Sequence, residues 1–237
     1  RSFDRHIVKP PGFLALDLGV DALETDVHLT RDGEVVVHHD PTGLGTASTR
    51  AAIADSTLED VRRWNLGFGF RNPDGTGLVN ATYRVPKLSE LLEAFPGVRL
   101  NIDVKPAHAE AARAVVAEVR RHRAEERVLL TSFYDHVVRA VRAGGYAGET
   151  GLARGEALRV LAAPAGTPRW ALPDGMRAQI PLRFGRLSLA RTSLVRRLQG
   201  LGYAVDFWVI NDDDDAKLSR EIGADGVMTD DPRTVVS

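Results

Sequence analysis

The 237-residue chain is long enough for one α/β domain and leaves little room for a second. Its 31 Lys and Arg against 32 Asp and Glu predict no overall field that would attract nucleic acid or an anionic membrane. The absence of cysteine excludes disulfides, thiolate metal sites and thiol nucleophiles. No apolar run approaches the roughly 20 residues that span a bilayer, and no signal-peptide core is visible. We therefore expect a soluble protein that is cytoplasmic rather than secreted.

Short apolar strands alternate with amphipathic helices along the chain, which is typical of a parallel sheet covered by helices. The candidate strands are Ile7–Val8, Ala22–Val27, Val35–His38, Arg99–Val104, Val128–Thr131, Thr150–Ala153, Arg177–Ile180, Ala204–Ile210 and Gly226–Thr229. A tight turn at 30–33 precedes the third strand, which is therefore predicted to be an antiparallel extension. The other eight predict an α/β fold with a single (β/α)8 TIM-type barrel over 1–237.

Helix signals occupy the expected places between these strands. Ser56–Glu59 resembles a capping-box start, Ser89–Phe95 stops before Pro-Gly, and Ala107–Arg123 carries an apolar Ala and Val stripe. The four consecutive acids Asp212–Asp215 predict a helix N-cap and first turn, where carboxylates meet the positive end of the helix dipole.

Two carboxylates stand on one face of an otherwise apolar strand. Glu24 and Asp26 are two residues apart, so their side chains project to the same side, about 7 Å apart along the backbone. Acids in such a setting are costly unless a cation or hydrogen-bond donors meet them. Oxygen ligands suit calcium or magnesium, and the nearby His39 has the chemistry of a general acid or base. The alternative is a surface hairpin with solvated acids.

Lys105 is one of only four lysines, and its position sets it apart. It ends the Arg99–Val104 strand two residues after Asp103, so the two side chains share a face. This pair is either a structural ion pair or part of a binding site, and the spacing alone leaves both open.

Six segments make the chain similar to a known family, the glycerophosphodiester phosphodiesterases. Glu24 to Pro41 follows the family's E-x-D-V-x-x-T-x-D-G segment leading into H-D-P. The other five segments follow the family order and are Val85–Leu88, Leu100–Lys105, Ser132–Phe133, Phe207–Asp212 and Gly223–Asp230. They resemble the family's V-P-T-L, N-I-E-I-K, S-F-D, W-T-V-N-D and G-V-D-G-I-I-T-D blocks, although Asp103 stands where the family more often has Glu.

This resemblance implies a metal-dependent hydrolase that converts glycerophosphodiesters to glycerol 3-phosphate and an alcohol. It implies one divalent cation, calcium or magnesium, held by Glu24, Asp26 and Asp103. Lys105 and Trp208 would bind the phosphate and substrate. His39 would protonate the departing alkoxide. The implied partner is a small-molecule glycerophosphodiester, with no nucleic acid and no stable membrane insertion, and the oligomeric state stays open.

Two other histidines are weaker candidates. His38 points to the face opposite His39, and His28 is interpreted as a polar strand end belonging to the turn.

The resemblance fails at the first strand. Family members carry an H-R-G followed by a loop and P-E-N-T, which supply a second histidine and a phosphate-binding arginine. Here His6 precedes Ile7–Val8 and the loop is too short. Either the loop is deleted or the printed sequence closes over a missing segment, and we favour the second. True deletion would favour a barrel that binds phosphodiesters without cleaving them.

The segment 42–83 after His39 and Asp40 is too long for an ordinary barrel loop and contains Trp64, Phe68 and Phe70. We interpret it as a cap that shapes the substrate pocket, the alternative being a surface insertion without a role. A lysophospholipase D-type enzyme would need an apolar, membrane-facing cap, whereas the Arg, Asn and Gly content favours a small polar substrate.

Overall fold

The computed structural model describes residues 15–47, 49–69 and 83–235, and only the backbone of residues 68 and 69. The predicted first strand, His6 and Phe70 lie outside the described residues. The described strands are β1 Ala22–Leu29, β2 Val35–Val37, β3 Arg99–Val104, β4 Val128–Thr131, β5 Arg177–Pro181, β6 Arg183–Phe184, β7 Leu187–Ser188, β8 Ala204–Trp208 and β9 Gly226–Val227. The described α-helices are α1 Leu58–Arg62, α2 Leu88–Ala94, α3 Ala109–Arg121, α4 Asp135–Ala143, α5 Arg154–Ala162, α6 Thr192–Gly200 and α7 Asp213–Glu221.

Parallel pairing dominates the described sheets. One sheet has the order β2-β1-β3-β4 and the second has the order β5-β8-β9. Single parallel bridges from Leu130 to Thr150 and from Gly151 to Arg177 connect them, so 150–151 takes the place of a strand between β4 and β5. Helices follow most of these strands in the sequence. The mixed α/β class predicted from the sequence is therefore confirmed.

The predicted antiparallel extension is confirmed as well. β2 pairs antiparallel with β1 across the turn, joining Val27 to Val37 and Leu29 to Val35. β1 is longer than predicted because its last residues pair with β2, which places His28 in the strand and corrects its assignment to the turn. Thr150–Ala153 forms only the two bridges, because the chain turns into α5 at Arg154.

The helix boundaries follow capping side chains. Thr57, and not Ser56, is the N-cap of α1, because its hydroxyl accepts from the Asp60 amide while the Asp60 carboxylate accepts from the Thr57 amide. The Asp212 carboxylate accepts from the Asp215 amide and begins α7, as predicted from the acidic run.

Three apolar clusters hold these elements together. The largest lies between β1, β3 and β4 and the helices α2, α3 and α4, and a second joins β5 and β8 to α5, α6 and α7. The third is small and contains Val36, Ile53, Val61, Trp64 and Val85. It packs the described part of the 42–83 insertion against β2. Trp64 therefore supports the β1–β2 hairpin, and the proposed cap residues Phe68 and Phe70 have no described side chains.

A buried ion pair fixes the chain between β4 and α5. Arg142 on α4 donates to both carboxylate oxygens of Glu156 at 2.8 and 3.1 Å. The same guanidinium donates to the Thr150 hydroxyl and the Gly151 carbonyl. The side chain of Glu156 is only 3% exposed, so either charge alone would be left buried without its partner.

We expect Arg142→Met to lower the free energy of unfolding by about 3 kcal/mol, because it strands the buried Glu156 carboxylate. Urea denaturation at neutral pH measures the change. Lys217→Met is the matched control, since its pairing with Glu221 at 4.0 Å is solvent-exposed and should cost less than about 0.5 kcal/mol. Equal losses in the two variants would contradict a special role for the Arg142 pair.

Candidate active site

Strand register brings the predicted acids together. β1 and β3 are parallel neighbours in which Asp26 lies opposite Asp103 and Glu24 lies opposite Asn101. Because residues two apart share a face of the sheet, all four side chains project into the same cleft, which they help to line. Asp26 and Asp103 lie next to the carboxyl-terminal limit of the β1–β3 pairing and Glu24 two residues before Asp26, so negative charge is concentrated at one place.

The Lys105 ammonium lies between two of these carboxylates. Its Nζ is 2.8 Å from Asp26 Oδ1 and 2.7 Å from Asp103 Oδ2. Burial lowers the pKa of Lys105, but the hydrogen bonds and charges of Asp103 and Asp26 outweigh it and raise that pKa above its usual value. The structural ion pair that the spacing left open is therefore formed. An ammonium has three N–H donors, so a third remains beyond these two contacts.

The pKa of the Glu24 carboxyl is raised well above its ordinary value. Its side chain lines the cleft and stays accessible to water, although protein surrounds it on most sides. This partial removal from bulk water, followed by the negative charges of Asp26 and Asp103, raises the pKa of Glu24 from 4.5 to about 7. Lys105 and His39 oppose the shift without cancelling it.

The residue types of this cluster fit a hard divalent cation. Asp103 Oδ1 and Asn101 Oδ1 are both buried and have no hydrogen-bond partner, so each presents a free oxygen to the cleft side of β3. Carboxylate and amide oxygens are the ligands that calcium and magnesium prefer. Within the described ranges, no three Asp, Glu or His side chains are arranged to hold one ion, and Lys105 occupies the space between two acids. The residue types of the cluster therefore suit a divalent cation, whereas their positions do not form a metal-binding arrangement in the described residues.

His39 stands at the rim of the cleft with its side chain 76% exposed. Its Nδ1 is 2.9 Å from Asp40 Oδ1, which leaves Nε2 without a bond in the described part of the chain. His28 Nε2 donates to the His39 carbonyl at 3.1 Å. Burial lowers the pKa of His28, so its neutral ring anchors the backbone of His39. Alternation along the strand gave no hint of this contact, which joins residues across the hairpin.

The His38 ring is engaged by its neighbours on both nitrogens. Its Nδ1 donates to the Asp40 carbonyl at 2.7 Å, and its Nε2 lies 2.9 Å from the Thr46 hydroxyl. The ring also meets Trp64 edge-on, with centroids 5.9 Å apart. Both nitrogens are thus occupied, and the side chain is buried.

The remaining predicted residues lie at the same end of the sheet. Trp208 ends β8 and lines the cleft with a side chain that is 42% exposed. Ser132 donates to the Val104 carbonyl at 2.6 Å and so supports the strand end that carries Lys105. Asn211 joins the ends of β8 and β9, because its amide donates to Asp230 and accepts from the Thr229 hydroxyl.

Comparison with known proteins decides the family. The model of the glycerophosphoryl diester phosphodiesterase family matches residues 14–234. The chain belongs to this family. A glycerophosphodiester phosphodiesterase of Caldanaerobacter subterraneus is 27% identical over 94% of this chain and 87% of its own length. A human lysophospholipase D is 24% identical over 90% of this chain and 74% of its own length. The family and the enzyme class, glycerophosphodiester phosphodiesterase, are confirmed.

The overall fold is similar to that of a solved phosphodiesterase structure. The phosphodiesterase of Oleispira antarctica, determined with its product sn-glycerol 3-phosphate, is 23% identical and has a TM-score of 0.75. The match covers 94% of this chain and 87% of that one. Among the described residues, no helix combines the length and the apolar character needed to span a bilayer.

Glu24 makes the stability of the metal-free protein depend on pH. Its folded-state pKa of about 7 lies above the ordinary 4.5, so ionisation favours the unfolded chain and stability falls as pH rises between these values. We expect Glu24→Gln to remove this fall. Because water reaches Glu24, the gain above pH 7 should be about 1 to 2 kcal/mol, with none below pH 4.5. Urea denaturation in chelator at both extremes measures it, and parallel pH profiles for the two proteins would contradict the assignment.

Asp26 differs from Glu24 in this respect. Since Asp26 neutralises the partly buried Lys105, we expect Asp26→Asn to lose stability in the same experiment, although repulsion within the acid cluster alone suggests a gain.

Proposed function

We propose that the chain hydrolyses glycerophosphodiesters to glycerol 3-phosphate and an alcohol with the help of one divalent cation, calcium or magnesium. The observation that carries the proposal is the convergence of Glu24, Asp26, Asp103 and Lys105 at the ends of β1 and β3, inside one cleft. Negative and positive groups side by side suit a phosphodiester, whose charge needs cations and whose leaving group needs a proton.

We further propose that residues 1–237 form a single closed (β/α)8 barrel. The described part supplies β1, β3, β4, the 150–151 bridge segment, β5, β8 and β9 as parallel neighbours in chain order. A contact of 3.8 Å from Asn101 Nδ2 to Met228 Sδ brings the region after β9 towards β3 across the inner face. The first strand predicted at Ile7–Val8 would fill the place between β9 and β1. The 42–83 insertion would cap the substrate pocket of this barrel.

Glu24, Asp26 and Asp103 would hold the cation, with the free Asp103 Oδ1 and Asn101 Oδ1 as nearby oxygens. When bound, a divalent cation supplies positive charge to the phosphoryl oxygens and to the charge that develops on them. Without the cation, the pKa of Glu24 is raised first by burial and then by the negative charges of Asp26 and Asp103.

Lys105 would bind the substrate phosphate. Two of its N–H groups point to Asp26 and Asp103, which fix the ammonium at the floor of the cleft. The third N–H would donate to a phosphoryl oxygen, for which a compact cation is well suited. Trp208, on the rim and partly exposed, would contact the organic part of the substrate.

His39 would protonate the departing alkoxide from Nε2. The Asp40 carboxylate accepts from Nδ1 and the His28 ring holds the backbone, so the imidazole is oriented from two sides. The nucleophile is either water or the glycerol 2-hydroxyl, in the manner of the family. By resemblance to the family, the base that activates the nucleophile would come from the first strand, which lies outside the described residues.

An apolar rim favours a second candidate, a lysophospholipase D-type activity. Phe133, Leu158 and Trp208 line the cleft and are each at least 42% exposed, which suits an acyl chain as well as a head group. The similarity to the human lysophospholipase D points the same way.

We expect His39→Ala to slow hydrolysis of substrates with alkyl alcohol leaving groups by about 10² to 10⁴, since an alkoxide needs a proton as the bond breaks. A p-nitrophenyl phosphodiester leaves readily as the anion and should lose much less. The ratio of kcat/KM on the two substrates measures the effect. Equal losses would show that His39 positions the cation or the phosphate instead.

A substrate panel tests the metal and the two activities together. We expect hydrolysis of glycerophosphocholine and glycerophosphoethanolamine that stops with chelator and returns with calcium or magnesium. Asp103→Asn should raise the calcium or magnesium concentration needed to restore activity by at least about tenfold, because it removes a charged ligand. Full activity in chelator would refute the metal role. A higher kcat/KM on lysophosphatidylcholine favours the second candidate, and binding of glycerol 3-phosphate without turnover favours a binding-only barrel.

A further inference from the structure

A small hairpin stands apart from the main sheets at the edge of the cleft. β6 and β7 pair only with each other among the described strands, joining Arg183 to Ser188 and Phe184 to Leu187. Gly185 takes a φ of +59°, which suits the tight turn between them. The hairpin follows β5 at the same end of the sheet as Lys105 and Trp208, because Pro181 lies opposite Trp208.

The hairpin exposes apolar side chains that no described element covers. Phe184 is 48% exposed and Leu187 is 52% exposed, and as cross-strand partners they lie side by side on one face. Trp208 and Val209, on the neighbouring strand end, are 42% and 51% exposed. Single exposed apolar residues are ordinary, but a contiguous group beside a cleft marks a binding surface.

Arginines surround this apolar group. Arg183 and Arg186 lie in the hairpin, Arg191 follows it, and Arg154 begins α5 on the other side of β5. All four are exposed, and in the described part of the chain none has a carboxylate within 4.0 Å, although Arg154 lies over the Phe133 ring. The acids of the α7 start, Asp212–Asp215, face the hairpin from the β8 side, and Arg183 and Asp215 interact electrostatically.

We propose that the hairpin 183–188 is a peripheral anchor that docks the mouth of the cleft on an anionic phospholipid surface. Phe184 and Leu187 would enter the boundary between head groups and acyl chains, while the arginines would contact lipid phosphates. The chain has a net charge of −1 and so no overall attraction to such a surface. The local arginines would therefore set the orientation, with the cleft facing the lipid. Anionic lipid is the occupant that matches both the apolar pair and the exposed arginines around it, which form no salt bridge with the described residues.

Vesicle binding tests the anchor without any turnover, so it is independent of the hydrolytic activity. The probes are vesicles of phosphatidylcholine mixed with phosphatidylglycerol, compared with pure phosphatidylcholine, and the readout is co-sedimentation of the full chain. We expect binding to the mixed vesicles that weakens on pure phosphatidylcholine and at high salt.

Three variants separate the contributions. Arg183→Gln with Arg186→Gln should weaken binding about 25-fold, from roughly fivefold per arginine near an anionic surface. Phe184→Ser with Leu187→Ser should weaken it at least about tenfold. Trp170→Ser is the matched control, because Trp170 is 86% exposed but lies beside Arg169, which contacts the loop before β5 at the opposite end of the sheet. It should bind as the parent does, and thermal melts verify that each variant is folded.

The proposal fails if the parent chain ignores the mixed vesicles or if both double variants bind them unchanged. It also fails if Trp170→Ser loses as much as the hairpin variants, which would indicate nonspecific adsorption. Loss in the arginine variant alone would mean a purely electrostatic contact and would overturn the anchor. Binding of the hairpin to a protein and not to vesicles would assign the surface to a protein partner.

Discussion

The contact of the Lys105 ammonium with Asp26 and Asp103 is the interaction on which the site depends. It follows from the parallel register of β1 and β3, which sets the two aspartates opposite each other. Three carboxylates on two adjacent strands would repel one another in the interior, and one ammonium relieves only part of that repulsion. Glu24 stays outside the pairing, and partial burial, followed by the negative charges of Asp26 and Asp103, raises its pKa. The site therefore retains an unmet preference for positive charge, which the proposed divalent cation would satisfy.

The short β1–β2 hairpin connects this charge cluster to the histidine at its rim. The pairing of β2 with β1 places His28 under the His39 carbonyl, and the small cluster around Trp64 packs behind β2. The described part of the insertion thus serves first to support the strand that leads to His39. Exposed His39 owes its position to buried neighbours, an arrangement that suits the general acid proposed for it.

The opposite wall of the cleft has a different character. It is built from the end of β8, the start of α5 and the hairpin after β5, where exposed apolar side chains and exposed arginines occur together. The Arg142–Glu156 pair holds the α5 start from below. Charge at the floor and amphipathic character at the rim are the properties expected of a site that receives a phosphodiester with an organic tail.

The sequence by itself determined the strand alternation, the β1–β2 hairpin, the N-cap at Asp212, the family and the presence of carboxylates on one face, because each of these depends on neighbours in the chain. Only the tertiary structure decided which charges meet. Lys105 could have paired with Asp103 alone, and its second partner Asp26 depends on the register of strands that are almost eighty residues apart in the sequence. The same holds for His28 with His39, for the burial of Trp64 and for Arg142 with Glu156. Such contacts come from packing and loop closure, which produce no periodic pattern of residues in the local sequence.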